Sequence, residues 1–360
     1  MMEIRTPITE LFGIKKPIFL AGMNIAAGPE LAAAVTNEGG LGVIGGLGYT
    51  PDMLREQCQK IKDDLINKSD PWGVDLLLPQ IGGSARKTNK DYTDGSLDEL
   101  INIIIEEGAS LFVSAIGVPP LSICEKLHNA GIPIMNMVGA PKHVQKAIDA
   151  GVDIICAQGG EGGGHTGEIP TSILIPKCYD AIKEINAKSP LHGGPIHLVA
   201  AGGIFDGRGL AMALSLGADA VWVGTRFVAS EEANATPRHQ KGVLECDYDD
   251  TIKTLIYTGR PLRVKKNNYI IDWEENRQEE IRELTNKGIL PSTHQINKEK
   301  EEGTELSFSE QMDRINPMLM GQAAAAIDSI KPAKEIMDEM VEDCILILQK
   351  IYEERLISKL

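Results

Sequence analysis

The sequence predicts an α/β fold: a (β/α)8 TIM barrel with an inserted cap segment and C-terminal helices. Three observations carry this. Eight short, continuously apolar runs recur between residues 17 and 223, the pattern of parallel strands buried on both faces. Each run is followed by helical periodicity or a long loop, the βα alternation of a barrel. Joints at 129–133, 149–153 and 215–219 each place Gly just past a helix end, with a strand immediately after. A doubly wound sheet is the rival. It would need fewer strands or a chain reversal that the sequence does not show.

The elements follow in order. Residues 17–22 form the first strand, and 29–38 a helix with Pro at its start. Residues 42–45 are the second strand and 51–67 its helix. The third strand, 73–78, precedes a helix at 96–107 opened by Ser96 and an acidic first turn. Strand 111–114 leads to helix 119–130, and strand 133–137 to helix 141–150. Strand 153–157 leads to helix 171–186, and strand 196–201 to helix 207–216. Residues 220–223 are the eighth strand. After Arg226 the chain turns polar and weakly periodic, with a charged run at 297–302 that reads as a solvated face. The expected organisation is therefore a barrel at 1–226, a cap over the substrate at 227–320 and C-terminal helices within 321–360. Two such helices, 320–329 and 331–351, are expected to pack back on the barrel.

The formal charge of −15 disfavours nucleic acid and anionic membrane as partners. The six cysteines are scattered and form no C-x-x-C pair, so neither a disulfide framework nor a zinc site is expected. No apolar run reaches the length of a membrane span, and the N-terminus lacks a signal-peptide core. Ser358-Lys359-Leu360 matches the peroxisomal import address. In a eukaryotic host it implies the import receptor as partner and the peroxisome as destination. Otherwise the expected location is cytoplasmic.

The stretch 153–170 is the candidate active-site loop. An apolar strand empties into glycines at 159, 160, 162, 163, 164 and 167, with His165 among them. Such glycine density lets backbone approach a flat or charged ligand, at an entropic cost that a plain connector has no reason to bear. The bland reading is a flexible linker with a chance histidine. Loops after the seventh and eighth barrel strands often bind phosphate. Here they read Ala201-Gly202-Gly203-Ile204 and Val223-Gly224-Thr225-Arg226, offering backbone N–H groups and one hydroxyl; two tight turns are the alternative. Ala21-Gly22-Met23 ends the first strand with small residues, against which a planar ring can lie. The pattern G-x-G-x-x-G at 40–45 is rejected as a dinucleotide fingerprint, because a helix precedes it and the match is itself the strand. His128 and His143 fall on outer helices and read as surface. His192 and His197 flank the start of the seventh strand, and His239 and His294 lie in the cap. No pair has metal-ligand spacing. A lone loop histidine at a barrel mouth suits a general base; a histidine that only hydrogen-bonds phosphate or backbone is the alternative.

The segments 158–167, 200–204 and 224–227, with Met320-Gly321-Gln322-Ala323, resemble the nitronate monooxygenase family, formerly called 2-nitropropane dioxygenase. The triple glycine, Thr166 and residues 73–83 resemble its fungal type more than its common bacterial type. The resemblance implies FMN, with Gly202, Gly203, Gly224 and Thr225 at its phosphate and Trp222 and Val223 nearby. It places Gln158 and Gly163 near the flavin, Ala21, Gly22 and Met23 along the ring, and His165 on the catalytic base. Asp75 stands where the bacterial type has Asn, which leaves its contact with flavin open. The implied reaction is oxidation of alkyl nitronates, and of neutral nitroalkanes, by O2 to aldehyde or ketone plus nitrite. An NAD(P)H-dependent flavin reductase of the enoyl-ACP or quinone type is the alternative reading, and a non-catalytic flavin binder a further one. A homodimer is one possible assembly.

Overall fold

The computed structural model describes residues 3–356, so Ser358-Lys359-Leu360 lies outside the described residues. Strands β1 (Ile18–Leu20), β2 (Gly42–Gly45), β3 (Trp72–Leu77), β4 (Leu111–Ala115), β5 (Ile134–Val138) and β6 (Ile154–Gln158) are barrel staves. A two-residue strand, β7 (Gly164–His165), stands apart in the glycine loop. Strands β8 (His197–Ala201) and β9 (Ala220–Val223) complete the set of eight. All neighbouring staves are parallel, in the order β1-β9-β8-β6-β5-β4-β3-β2. A parallel bridge between Phe19 and Leu41 joins the two ends and closes a (β/α)8 barrel.

The pleat sorts side chains into two cores. Phe19, Val43, Val113, Met135, Cys156, Val199 and Trp222 face inward; their outward neighbours pack under the helices. A short helix, Pro7–Phe12, was not anticipated. Thr6 caps it with a capping box. It puts Ile8, Leu11 and Phe12 against the interior, with the Phe12 ring edge-on to Phe19 at 5.6 Å.

Gly42 shows how tightly helix Pro29–Asn37 lies on β2: a Cβ there would sit 1.9 Å from the Ala32 carbonyl oxygen. Backbone cannot yield as a side chain can. Gly42→Ala should therefore cost about 1–3 kcal/mol or more in denaturant unfolding; a change within measurement error would contradict the packing.

Beyond β9, strands β10 (Thr251–Thr254) and β11 (Leu262–Lys265) pair with each other, and β11 pairs with β7. Helices Pro237–Leu244, Asn268–Asn276, Gln278–Asn286, Pro291–Glu301 and Phe308–Ile315 surround them. Side chains of Thr236, Asn267 and Ser307 cap three of these. Ile256, Val264, Ile270, Trp273 and Ile281 form a separate small core, with the Arg277 guanidinium 3.3 Å over the Trp273 ring.

Helix Ala333–Arg355 docks on helix Gly207–Ser215, where a Cβ on Gly207 would lie 2.4 Å from that of Asp343. The expected helix at 320–329 does not form. Only a 3-10 turn, Gln322–Ala326, is present. Its backbone lies against the glycine loop described below. Among the described residues no helix is long and apolar enough to cross a membrane.

Candidate active site

A cavity of about 990 Å³ opens where the carboxyl ends of the staves meet the segment after β9. Ala21, Gly22, Met23, Asp75, Gln158, Gly163, His165, Gly202, Gly203, Trp222, Gly224 and Thr225 all line it. Val223 does not. Strand alternation turns its side chain into the outer core, and its carbonyl accepts from the Ala21 amide at 2.9 Å.

The glycine loop is held on every side. Gln158 Nε2 donates to the His165 carbonyl at 2.8 Å. The Thr166 hydroxyl donates to the Gly159 carbonyl at 2.8 Å, and the Arg263 guanidinium to the Gly160 carbonyl at 2.8 Å. Glu161 accepts from the Thr171 amide at 3.0 Å. The 320s segment lies directly on the loop: the Gln322 amide donates to the Glu161 carbonyl at 2.9 Å. A Cβ on Gly163 would come within 2.6 Å of the Gly321 nitrogen. Gly159, Gly160, Gly162, Gly163 and Gly167 thus serve close approach in a hydrogen-bonded loop, and Gly164 supplies a positive φ of +68°.

The turn after β8 is built alike. Gly202 sits at φ +94°, and a Cβ there would meet the Gly159 carbonyl oxygen at 2.8 Å. Gly203 follows at φ +73°. The Thr225 hydroxyl accepts from the Gly321 amide at 2.9 Å, which leaves its own proton to donate.

His165 lies at the mouth, fixed through β7 by its pairing with Leu262. Its Nε2 is 3.0 Å from the Thr258 hydroxyl. Burial, reinforced by the nearby charge of Arg260, lowers its pKa to about 4. The imidazole is therefore neutral near pH 7, the form that accepts a proton. Among the described residues Nδ1 has no hydrogen-bond partner, so it is the nitrogen open to a proton from a substrate.

Asp75 faces inward from β3, and burial alone raises its pKa to about 8. Its Oδ1 has no partner, while Oδ2 lies where a Cβ on Gly22 would be, 2.5 Å away. The folded pKa exceeds the ordinary 3.8, so folding takes up a proton between about pH 4 and pH 8. The associated stability is present below about pH 4 and lost as pH rises through about 8. In ligand-free protein, Asp75→Asn should flatten the fall in melting temperature across this window. Identical pH slopes in both proteins would contradict a neutral Asp75.

Two histidines sit differently from expectation. His128 is not a surface residue: its Nε2 is 2.9 Å from Asp153, whose wholly buried carboxylate needs donors at the start of β6. His143 is exposed, but at the mouth of the cavity and not on the outer face. Sequence reasoning missed His239, Arg238, Thr258, Arg314 and the cations Arg86, Lys90 and Arg260, which also line the cavity. They come from loops and helices far apart in the chain, and no local motif marks them.

Comparison with known proteins bears on the family and the fold. Residues 5–343 match the family model described as nitronate monooxygenase. The (3aS,4S,5R,7aS)-5-hydroxy-7a-methyl-1-oxo-octahydro-1H-indene-4-carboxyl-CoA dehydrogenase of Mycobacterium tuberculosis is 31% identical over 375 residues, covering 97% of this chain and 98% of that protein. A probable nitronate monooxygenase of Staphylococcus saprophyticus is 31% identical over 306 residues, 75% of this chain and 81% of its own. Among solved structures, FabK from Thermotoga maritima superposes with a TM-score of 0.77 at 29% identity, over 97% of this chain and 99% of that one. Nitroalkane oxidase from Streptomyces ansochromogenes also gives a TM-score of 0.77, over 96% and 99% of the chains, but at 22% identity it shows the fold alone.

Proposed function

The chain belongs to the nitronate monooxygenase family, and from that premise we propose that it oxidises alkyl nitronates, and neutral nitroalkanes, with O2 to an aldehyde or ketone plus nitrite, using FMN. The observation that carries this is the neutral His165 imidazole at the mouth of a glycine-lined cavity.

The residues present fit a flavin. Glycine turns at Gly202, Gly203 and Gly224, with the Thr225 hydroxyl, suit the phosphate. The small residues Ala21, Gly22 and Met23 suit one face of the ring. The orphaned Oδ1 of Asp75 in the cavity wall suits a polar ring atom. When bound, flavin supplies the electron-accepting step and the reaction with O2. The chain supplies the rest. His165 Nδ1 removes the α-proton of a neutral nitroalkane. The His165–Thr258 hydrogen bond and the β7–β11 pairing hold the ring in place while the charge on the imidazole changes. A nitronate arrives already deprotonated and does not need the base. Affinity to the fungal type, within this reading, rests on residues 73–83, the triple glycine and Thr166.

Purified protein should consume oxygen and release nitrite with ethylnitronate. Absence of nitrite with flavin bound would refute the proposal. A second reading, an NAD(P)H-dependent flavin reductase, is favoured by the likeness to FabK and to a CoA-ester dehydrogenase. Anaerobic bleaching of the flavin by NADH or NADPH within seconds would select it.

A further inference from the structure

The chain carries a net charge of −15, yet its cavity is lined by Arg86, Lys90, Arg238, Arg260 and Arg314 and by a single carboxyl, that of Asp75. Arg238 is paired with Asp313 and Arg314 with Glu299. The other three are not: among the described residues, Arg86, Lys90 and Arg260 have no carboxylate partner. They stand on two loops tied to each other. Arg86 donates to the Gly259 carbonyl at 3.2 Å, and Arg260 Nε to the Asn89 side-chain oxygen at 3.2 Å. Gly259, at φ +66°, lies so close to Thr88 that a Cβ would meet its hydroxyl at 2.1 Å. Arg260 and Arg86 are near enough to repel, which lowers the Arg260 pKa after the larger effect of burial.

Two like charges held together by designed loop contacts, with no acid between them, cost free energy in the free protein. A polyanion would remove that cost. A small alkyl nitronate has one charge and no need of three cations at the rim. The cavity, at about 990 Å³, is at the top of the range for a drug-sized ligand, roughly 300–1,000 Å³.

We propose that Arg86, Lys90 and Arg260 form an anion subsite on the cavity rim that binds the phosphate groups of an extended ligand whose reactive end lies beneath His165. Guanidinium forks suit phosphate oxygens bidentately. Phosphates of this kind occur in two sources: a pyridine dinucleotide and a nucleotide-linked acyl thioester. The subsite is tested apart from the nitronate oxidation, and NADPH bound there would favour the reductase reading.

The test is calorimetric titration of the purified, flavin-quantified protein with two probes, NADPH and coenzyme A. At least one should bind, and binding should weaken as salt is raised. The double variant Arg86→Ala/Lys90→Ala changes two exposed side chains and should keep its melting temperature and flavin content. Its affinity for the bound probe should fall about ten-fold or more, the scale of a lost charge-assisted hydrogen bond. Arg260→Gln should do the same. Loss confined to coenzyme A identifies the acyl-thioester source, and loss confined to NADPH the dinucleotide. If neither binds, or binding is indifferent to salt and to the substitutions, the subsite is refuted. Absence of flavin from the purified protein would instead count against the proposed oxidation, and leave the calorimetry a valid test of the subsite.

Discussion

Replacing His165 with asparagine is expected to lower turnover of a neutral nitroalkane by about 10²–10⁴-fold, the usual contribution of a positioned base. Turnover of the matching nitronate should change little. The asymmetry follows from chemistry. The neutral substrate must lose a proton from carbon, and the nitronate has already lost it. Asparagine keeps a polar contact to Thr258 in a small volume, so the loop should stay in register. The wild-type profile adds a second handle. With its pKa lowered to about 4 by burial and by Arg260, His165 stays unprotonated through the neutral range. kcat/KM on the neutral nitroalkane should hold from neutrality downward and fall only as pH approaches about 4. Equal losses on both substrates would assign His165 a structural role.

Gly202→Ala is expected to strip the protein of flavin while leaving the barrel folded. Two costs coincide at this position. The residue sits at φ +94°, and its new Cβ would press on the backbone of Gly159, where Gly159 carbonyl oxygen and nitrogen lie at 2.8 and 2.9 Å. Neither neighbour is a flexible side-chain tip. The left-handed penalty is about 1–2 kcal/mol and overpacking adds about 1–3 kcal/mol. The turn can relax by peeling away from the loop, which displaces the amides proposed to hold phosphate. If about 2–4 kcal/mol is felt in binding, flavin affinity falls roughly 30- to 700-fold. Flavin absorbance per protein after gel filtration measures it, with circular dichroism as the control for folding. Full flavin occupancy in the variant would remove the β8 turn from the phosphate site.

The two predictions rest on parts of the molecule that the sequence reveals to different degrees. The staves are legible because parallel strands buried on both faces must be apolar throughout, as Ile154 to Ala157 and Ala220 to Val223 are. Gly202 and Gly203 are legible because both take left-handed backbone angles, and at Gly202 the Gly159 backbone leaves no space for a side chain. The surroundings of His165 are not legible. β7 is two residues long and pairs with β11 nearly a hundred residues later, too short for any periodicity. Thr258 and Arg260 reach the site from that same distant turn. The segment after β9 reads as weakly periodic because its helices share a small core around Trp273 and keep most of their surface in water. Its caps at Thr236, Asn267 and Ser307 are residue types that favour helix starts, but the sequence reading did not single them out. Residues 320–329 mislead because an alanine-rich run has high helix propensity, whereas here Gly321 lies against the backbone of Glu161 and Gly163 and only the 3-10 turn Gln322–Ala326 forms. His128 misleads because its partner, Asp153, lies 25 residues on, beyond β5 and the helix that follows it.

The account turns on a nitronate giving its electrons to a flavin seated beneath His165. Anaerobic mixing of purified protein with ethylnitronate, followed by visible absorbance, tests that step alone. Rapid loss of the flavin bands, with their return on admitting O2 and nitrite in solution, is the expected result. A flavin spectrum indifferent to ethylnitronate but bleached by a reduced pyridine nucleotide would contradict it.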